Sequence, residues 1–240
     1  MLVVLAVGLS VACAPSRTAA PVPAPAAQGA APPLANDLKW VRDSAEYHAA
    51  VLQTYRVAGE RVAEQAASRA QGAWAVVLDA DETVISNLTY QIERGRQGLP
   101  YSQESWTPWT QRRAATPLPG AATFLARVRE LGGRIAIVTN RLGVECPDTE
   151  AVFRTHQLVY DVMLCRLPGM PSDKNARFDV VARGEAFGLT APIEVIAFVG
   201  DNIHDFPRLS QATRKQGDAA FVDFGARFFL VPNPMYGGWQ

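Results

Sequence analysis

The sequence predicts an α/β protein built on a parallel sheet. Three apolar runs support this prediction, at residues 74–78, 134–138 and 195–199, and polar side chains follow each of them. An unbroken apolar run is typical of a strand that is buried on both faces, as the strands of parallel sheets are. Ligand sites in open α/β sheets lie at the carboxyl ends of the strands. We therefore expect the functional residues directly after these runs.

The first apolar run is followed by two carboxylates, Asp79 and Asp81, and then by Thr83. Side chains alternate along a strand, so Asp79 and Asp81 are expected on the same side. Like charges that close repel each other unless a cation lies among them. The pair therefore predicts half of a site for a divalent metal and a nucleophile, although an Asp-rich turn at the end of a strand gives the same pattern.

The composition is that of an ordinary globular protein. The chain has 240 residues, with 23 Lys and Arg against 23 Asp and Glu. This length suits one sizeable domain. Because there is no basic excess, a nucleic-acid polymer is not expected as a partner.

The amino-terminal residues indicate export. Residues 1–12 form an uncharged apolar run that is too short to span a bilayer, and small residues precede Cys13. This pattern predicts a signal peptide over residues 1–12 and resembles a bacterial lipoprotein processing site, in which Cys13 becomes the lipidated first residue. A signal peptide with a free or trimmed terminus is the alternative. Lipidation would anchor the protein to a membrane of the bacterial cell envelope, and we expect the outer membrane.

A tether is expected between the lipidation site and the folded domain. Residues 13–36 are rich in Ala and Pro and contain little large apolar material to bury. Such a segment cannot form a core and is expected to be extended. The folded domain is then expected over residues 37–240.

Two segments flank the first strand. After Ser44, apolar residues recur at three- and four-residue steps, which predicts a long amphipathic helix. Residues 90–113 are polar and aromatic, with Tyr101, Trp106 and Trp109 among Gly and Pro. A segment inserted directly after a catalytic strand is well placed to cover the site as a lid. For both tryptophans, packing onto the core is the simpler interpretation.

Groups suited to phosphate follow the next strands. The second run leads into Thr139, Asn140 and Arg141, whose hydroxyl, amide and guanidinium groups can bind phosphate oxygens. A third strand is expected at residues 160–164, and Lys174 then opens a helix. Its side chain offers a mobile positive charge that can approach a transferring phosphoryl group.

The apolar run at residues 195–199 repeats the acidic pattern of the first. It is followed by Gly200, Asp201 and Asp205, with the glycine allowing a tight turn. A small cluster of oxygen ligands favours Mg²⁺ over zinc or copper. Two strands that each end in two aspartates therefore predict a Mg²⁺ site. The carboxyl terminus is rich in Gly, Pro and aromatic residues and predicts a fixed loop that presents rings, Tyr236 among them.

Two further cysteines, Cys146 and Cys165, have no partner at the spacing of metal ligands, which argues against zinc. In an exported protein such a pair can form a disulfide. Pairing requires that their Cα atoms come close in the fold, which the sequence leaves open.

Four motifs occur in an order that resembles a known family. They are Asp79-x-Asp81-Glu82-Thr83 with Asn87 and Tyr90 downstream, Thr139-Asn140-Arg141, Lys174 with Arg177, and Gly200-Asp201-Asn202-x-x-Asp205-Phe206. Together they resemble the haloacid-dehalogenase superfamily of phosphohydrolases, and within it the bacterial class C acid phosphatases of the lipoprotein e type. The resemblance implies a Rossmann-like three-layer core with a parallel sheet, an amino-terminal helix and a small, mostly helical cap, with cap elements at about 37–72 and 84–118.

The resemblance also implies a role for each site residue. Asp79 would be the nucleophile that forms an aspartyl-phosphate, and Asp81 would protonate the leaving oxygen and then activate water, which Thr83 helps to orient. Mg²⁺ would be bound by Asp79, the backbone carbonyl of Asp81, Asp201 and Asp205, and Asp205 would also fix its loop or Lys174. Phosphate would be bound by Thr139, Asn140 and Lys174. An aromatic leaving group would be flanked by Tyr101 and Tyr236.

These roles describe a Mg²⁺-dependent acid phosphatase that hydrolyses small phosphomonoesters, 5′-nucleotides included. A narrower sugar- or protein-phosphate phosphatase is one alternative. Another is a surface binding lipoprotein, such as a haem or nucleotide carrier, with the same fold and little turnover. A binding protein would have no need for Asp81, which favours the enzyme. The sequence is compatible with a monomer or an oligomer.

Overall fold

A parallel sheet organises the part of the chain that the structure, a computed structural model, describes: Leu2 and residues 33–240. In chain order the α-helices and strands of the described residues are α1 (Asn36–Asp43), α2 (Ala45–Ala66), β1 (Trp74–Leu78), β2 (Ile85–Ser86), α3 (Leu88–Gln97), α4 (Gln103–Gln111), β3 (Thr116–Pro117), α5 (Ala121–Glu130), β4 (Arg134–Leu142), α6 (Cys146–Thr155), β5 (Val162–Arg166), α7 (Asn175–Ala182), β6 (Glu194–Gly200) and β7 (Phe228–Leu230). The five-stranded sheet has the order β5-β4-β1-β6-β7. All its neighbouring strands are parallel, as the apolar runs predict.

Different helices cover the two faces of this sheet. Val76 and Leu78 of β1 lie in the larger apolar cluster, which α2 and α5 complete, whereas Val77 lies in a second cluster with Phe178 of α7 and Phe198 of β6. Because successive side chains of a strand point to opposite faces, an unbroken apolar run fills both. The result is the three-layer α/β core that the resemblance implies.

Helix α2 forms part of one outer layer. The hydroxyl of Ser44 accepts a hydrogen bond from the backbone N–H of Tyr47 at 3.0 Å and so caps the start of the helix. The predicted apolar stripe is buried throughout: Tyr47, Val51, Tyr55, Ala58, Val62 and Ala66. The resemblance places cap elements at about 37–72; in this range α2 packs against α5, β6 and β7, whereas α1 packs against α3.

The excursion between β1 and α5 forms a small cap, which we define as residues 84–118. Strands β2 and β3 pair antiparallel at its base, and α3 and α4 lie between them. Tyr90, Trp106 and Trp109 form a separate buried cluster. Both tryptophans are thus used in packing, the simpler of the two interpretations.

Strand β5 begins two residues later than the sequence predicts. The Asp161 carboxylate accepts a hydrogen bond from the backbone N–H of Ile135 at 2.7 Å, and the Asp161 N–H donates to the Ile135 carbonyl at 2.9 Å. These bonds hold Asp161 beside β4, directly before the regular pairing of β5 with β4 begins. Cys165 near the end of β5 forms a disulfide with Cys146 at the start of α6, with the Cα atoms 6.3 Å apart. The pairing that the sequence leaves open is therefore made.

The amino-terminal predictions concern residues outside this description. Apart from Leu2, the predicted signal peptide, Cys13 and the tether up to residue 32 are not described. Within residues 33–240, no helix is both long enough and apolar enough to cross a membrane.

Candidate active site

The carboxyl ends of β1 and β6 bring together the residues that the two acidic motifs predict. Asp79 follows β1 and Asp201 follows β6, which is the neighbouring strand. Lys174, directly before α7, donates hydrogen bonds from Nζ to Asp79 Oδ1 and to Asp205 Oδ1, both at 2.6 Å. All three side chains of this ion-pair cluster are largely buried. Burial alone would lower the pKa of Lys174, but Asp205 and Asp79 raise it above its usual range, so the side chain is an ammonium ion.

Three carboxylates surround a space suited to a cation. One oxygen from each of Asp79, Asp201 and Asp205 lies within 4.8 Å of the others. We call these residues the acidic trio. Burial, with the nearby charge of Asp205 and Asp81, raises the pKa of Asp79 to about 7 even though Lys174 opposes the shift. Burial and the other two carboxylates raise the pKa of Asp201 well above its usual range. One ammonium does not offset three carboxylates, and an oxygen-only donor set suits a divalent cation such as Mg²⁺.

Hydrogen bonds and close packing hold the acidic trio in place. Asp201 accepts from the Thr83 hydroxyl at 3.1 Å and from the Asn233 amide at 2.8 Å. The backbone N–H of Asn202 donates to Asp205 Oδ2 at 2.9 Å. A Cβ atom on Gly200 would overlap the Asp205 side chain, so glycine permits this close approach. Thr83, which the resemblance assigns to orienting water, thus contacts Asp201 directly.

Asp81 lies beyond the last residue of β1 and has its own set of partners. Its carboxylate lies outside the acidic trio and accepts hydrogen bonds from Arg141 and from Asn87. The strand ends at Leu78, and the chain then turns, with the backbone N–H of Val84 donating to the Ala80 carbonyl. Asp79 and Asp81 therefore have different partners, and the charge of Asp81 still acts on Asp79.

The sequence reasoning missed the pairing of Arg141 with Asp81. The pattern offers the Arg141 guanidinium for phosphate binding beside Thr139 and Asn140, and the resemblance gives it no separate role. Its guanidinium is buried and donates to Asp81 through Nη2 at 2.8 Å and through Nε at 3.0 Å. Nη2 also donates to the Asn87 amide oxygen at 2.9 Å, and the Trp106 ring lies 5.3 Å from the guanidinium. An arginine that ends an apolar strand is the one signal that could have indicated a buried partner.

The end of β4 presents the predicted phosphate ligands. The Thr139 hydroxyl accepts a hydrogen bond from the Arg141 N–H at 3.2 Å, which leaves its own proton available. The Asn140 amide oxygen accepts from Arg177 at 2.6 Å, and the Asn140 amide nitrogen donates to the Ser172 carbonyl at 3.0 Å. Thr139 is buried at this edge of the sheet, whereas Asn140 is exposed at its surface.

Known proteins are similar to this chain in sequence and in fold. The model of the family described as HAD superfamily, subfamily IIIB (acid phosphatase), matches residues 7–239. The chain belongs to this family. It is similar to the class C acid phosphatase from Bacillus anthracis, at 26% identity and a TM-score of 0.73 over 85% of this chain and 84% of that one. A structure of that enzyme with tungstate bound matches at 25% identity and a TM-score of 0.73, with the same coverage of each chain.

Membership makes this chain a phosphomonoesterase of the HAD superfamily, and HAD phosphatases generally use a divalent metal. The acidic trio is a donor set that fits such a metal.

The hydroxyl of Tyr236 links the carboxyl-terminal loop of this acid phosphatase to the site. That hydroxyl donates to the carboxylate of buried Glu82, whose other oxygen accepts from the Asn87 N–H at 2.6 Å. Glu82 has a φ of 49°, which is uncommon outside glycine and marks a sharp turn after Asp81. Burial, followed by the charge of Asp81, raises the pKa of Glu82 to about 8. The carboxyl-terminal loop is thus tied to the Asp81 turn.

Tyr101 is more remote from the acidic trio. It lies in the cap with 54% of its surface exposed and packs edge-on against Tyr90, with ring centroids 6.3 Å apart. Its ring also lies 5.9 Å from that of Trp106, the residue over Arg141. The structure therefore places Tyr101 on the Asp81 side of the site and Tyr236 near Glu82.

Replacement of Arg141 by Gln should reduce turnover because Asp81 would lose the cation that fixes its direction. We expect kcat to fall about 10- to 100-fold, the range that a small misplacement of a catalytic group costs. Hydrolysis of para-nitrophenyl phosphate measures the effect. Arg112→Gln is the matched control, because Arg112 pairs with Glu93 on the exposed surface of the cap. Equal activity in the two variants would show that Arg141 is not needed to orient Asp81.

Proposed function

We propose that this protein is a Mg²⁺-dependent acid phosphatase that hydrolyses phosphomonoesters through an aspartyl-phosphate on Asp79. One observation carries the proposal: the two aspartates of the first motif meet different cations. Asp79 contacts Lys174 within the acidic trio, whereas Asp81 contacts Arg141 outside it. Two carboxylates in different surroundings suit two roles, one as nucleophile and one as acid and base.

The first step transfers the phosphoryl group to the protein. A carboxylate oxygen of Asp79 attacks phosphorus, the bond between phosphorus and the leaving oxygen breaks, and Asp81 donates a proton to that oxygen. Only one oxygen of Asp79 is used by Lys174, so the other can attack. The ammonium of Lys174 offsets the repulsion between the carboxylate and the phosphate dianion. Thr139 and Asn140 would bind the phosphate oxygens.

The second step returns the protein to its starting state. Asp81 takes a proton from a water molecule, the water oxygen bonds to phosphorus, and the bond to Asp79 breaks to release inorganic phosphate. Arg141 and Asn87 hold the Asp81 carboxylate by hydrogen bonds in both steps. A divalent metal, when bound by Asp79, Asp201 and Asp205 with the backbone carbonyl of Asp81, would neutralise phosphate charge.

Two relations support this proposal over a carrier function. Tungstate, which the Bacillus anthracis relative binds, is a tetrahedral oxyanion of the same kind as phosphate. A haem or nucleotide carrier would have no use for a separately oriented Asp81. The narrower alternative, a sugar- or protein-phosphate phosphatase, uses the same chemistry and differs only in the leaving group.

Replacement of Asp79 by Asn should abolish turnover because an amide cannot form the phosphoryl intermediate. We expect kcat on para-nitrophenyl phosphate at mildly acidic pH to fall about 1,000-fold or more, and wild-type activity to disappear with a chelator and return with Mg²⁺. The exposed Asp218→Asn is the matched control. Unchanged turnover in Asp79→Asn would contradict the nucleophile, and a carrier would show no turnover in any variant.

Metal binding can be measured without activity. Mg²⁺ should raise the Tm of the wild-type protein, because a ligand that binds only the folded state stabilises it, and should not raise the Tm of Asp201→Asn.

We further propose that 5′-nucleotides are among the substrates, with the base flanked by Tyr236 and Tyr101. Tyr236→Ala should lower kcat/KM for a 5′-nucleotide relative to glycerol phosphate by about three- to tenfold, since ring stacking is lost. Tyr236→Phe keeps the ring but loses the hydroxyl contact with Glu82, so it should retain the wild-type ratio. Equal loss on both substrates in the Ala variant would mean that Tyr236 holds the loop and does not select the base.

Lipid anchoring in the cell envelope, with the outer membrane as the expected site, is also a proposal. It is supported by the small residues before Cys13 and by the Ala- and Pro-rich segment after it. Cys13→Ser should move the exported protein from the membrane fraction to the soluble fraction and abolish labelling with a radioactive fatty acid, whereas Ser16→Ala should change neither. A Cys13→Ser protein that stays in the membrane fraction would contradict the anchor.

A further inference from the structure

Arg166 ends β5 at the same edge of the sheet as the phosphate ligands. In the parallel ladder it is paired with Leu142 of β4, three residues after Thr139. Val162 and Leu164 of β5 pack with the cluster beneath α7. Alternation along the strand therefore directs Arg166 to the α7 face, opposite to its neighbour Cys165 in the disulfide.

A second arginine lies on that face. Arg177 of α7 donates to the Asn140 side chain at 2.6 Å and to the carbonyl of Thr139. Burial lowers the pKa of Arg177, and the charge of Arg166 lowers it further. Burial raises the pKa of Tyr101 to about 12, with the charge of Arg166 opposing the shift. These pKa effects agree with the geometric position of Arg166, at the end of β5 and paired with Leu142, the residue after Arg141.

Arg166 has no side-chain partner among residues 33–240. Within the described part of the chain its guanidinium makes no ion pair and no side-chain hydrogen bond, whereas Arg177 is satisfied by Asn140 and backbone carbonyls. The nearest acidic residue along the loop, Asp173, is occupied by two hydrogen bonds from Asn175. Binding of an anion stabilises a partly buried guanidinium that lies beside another cation.

The position of Asp81 indicates which part of a substrate would reach Arg166. If Asp81 protonates the leaving oxygen, the leaving group lies on the Asp81 side of phosphorus. From Asp81 that side continues through Arg141 to the Trp106 ring and on to Tyr101, each in contact with the next. Exposed Leu167, directly after Arg166, adds an apolar surface.

We propose that Arg166 is a specificity-determining residue that binds an anionic group on the leaving part of the substrate. The favoured substrates would then be phosphomonoesters whose leaving group carries a carboxylate or another oxyanion. This inference rests on the proposed function, since it needs turnover and a leaving group on the Asp81 side.

Two substrates of nearly equal shape test the inference. para-Carboxyphenyl phosphate carries the second anion and para-carbamoylphenyl phosphate is its neutral counterpart. The ratio of their kcat/KM values should fall about three- to tenfold in Arg166→Gln relative to wild type, the effect of losing one partly exposed charged contact. Arg166→Lys keeps the charge and should retain part of the ratio. Arg56→Gln, which removes an exposed cation on α2, should leave the ratio unchanged.

Salt gives a second readout. Added salt should lower the wild-type ratio and have little effect on that of Arg166→Gln, because screening weakens the contact between Arg166 and the carboxylate.

Each outcome has a distinct meaning. If wild type hydrolyses both esters and Arg166→Gln lowers both rates equally, the inference is wrong and Arg166 serves the fold or the transferred phosphate. If the ratio falls equally in Arg56→Gln, only net charge matters and the inference is also wrong. If wild type hydrolyses neither ester, nor para-nitrophenyl phosphate, the proposed function itself fails.

Discussion

A buried ammonium group between two carboxylates is the interaction on which the site depends. Lys174 precedes α7 and reaches Asp79 after β1 and Asp205 after β6, so one ion-pair cluster joins segments that are far apart in the sequence. Buried charges are costly unless they are paired and hydrogen-bonded. The parallel sheet meets this condition because it brings the carboxyl ends of β1 and β6 together. The excess of carboxylates over ammonium groups then makes this edge a favourable place for a divalent cation.

The turn after β1 gives the two aspartates of the first motif different partners. Asp79 stays with Lys174, and Asp81 turns toward Arg141 and Asn87. The cap takes part in this arrangement, because Trp106 lies over Arg141 and the indole N–H of Trp109 donates to Asn87 at 3.2 Å. The packing of the cap therefore helps to fix the direction of Asp81, the acid–base candidate.

The carboxyl-terminal loop contacts both the acidic trio and the turn after β1. Asn233 donates to Asp201, and the Tyr236 hydroxyl donates to Glu82 in the turn after Asp81. One short segment thus supports both the acidic trio and the turn that carries Asp81. A loop rich in Gly, Pro and aromatic residues can do this because its side-chain contacts, and not a regular hydrogen-bond ladder, fix its path.

Much of the fold follows from local pattern. The apolar runs predict the buried strands, and the residues after them predict Asp79, Asp201, Asp205 and Lys174 at one edge, because carboxyl ends of parallel strands meet there. The tertiary structure alone decides the direction of Asp81, the pairing of Arg141 and the disulfide between Cys146 and Cys165. The physical reason is the same in each case. Strand alternation and apolar periodicity are properties of neighbouring residues, whereas the partner of a side chain in a turn is set by segments that only folding brings close.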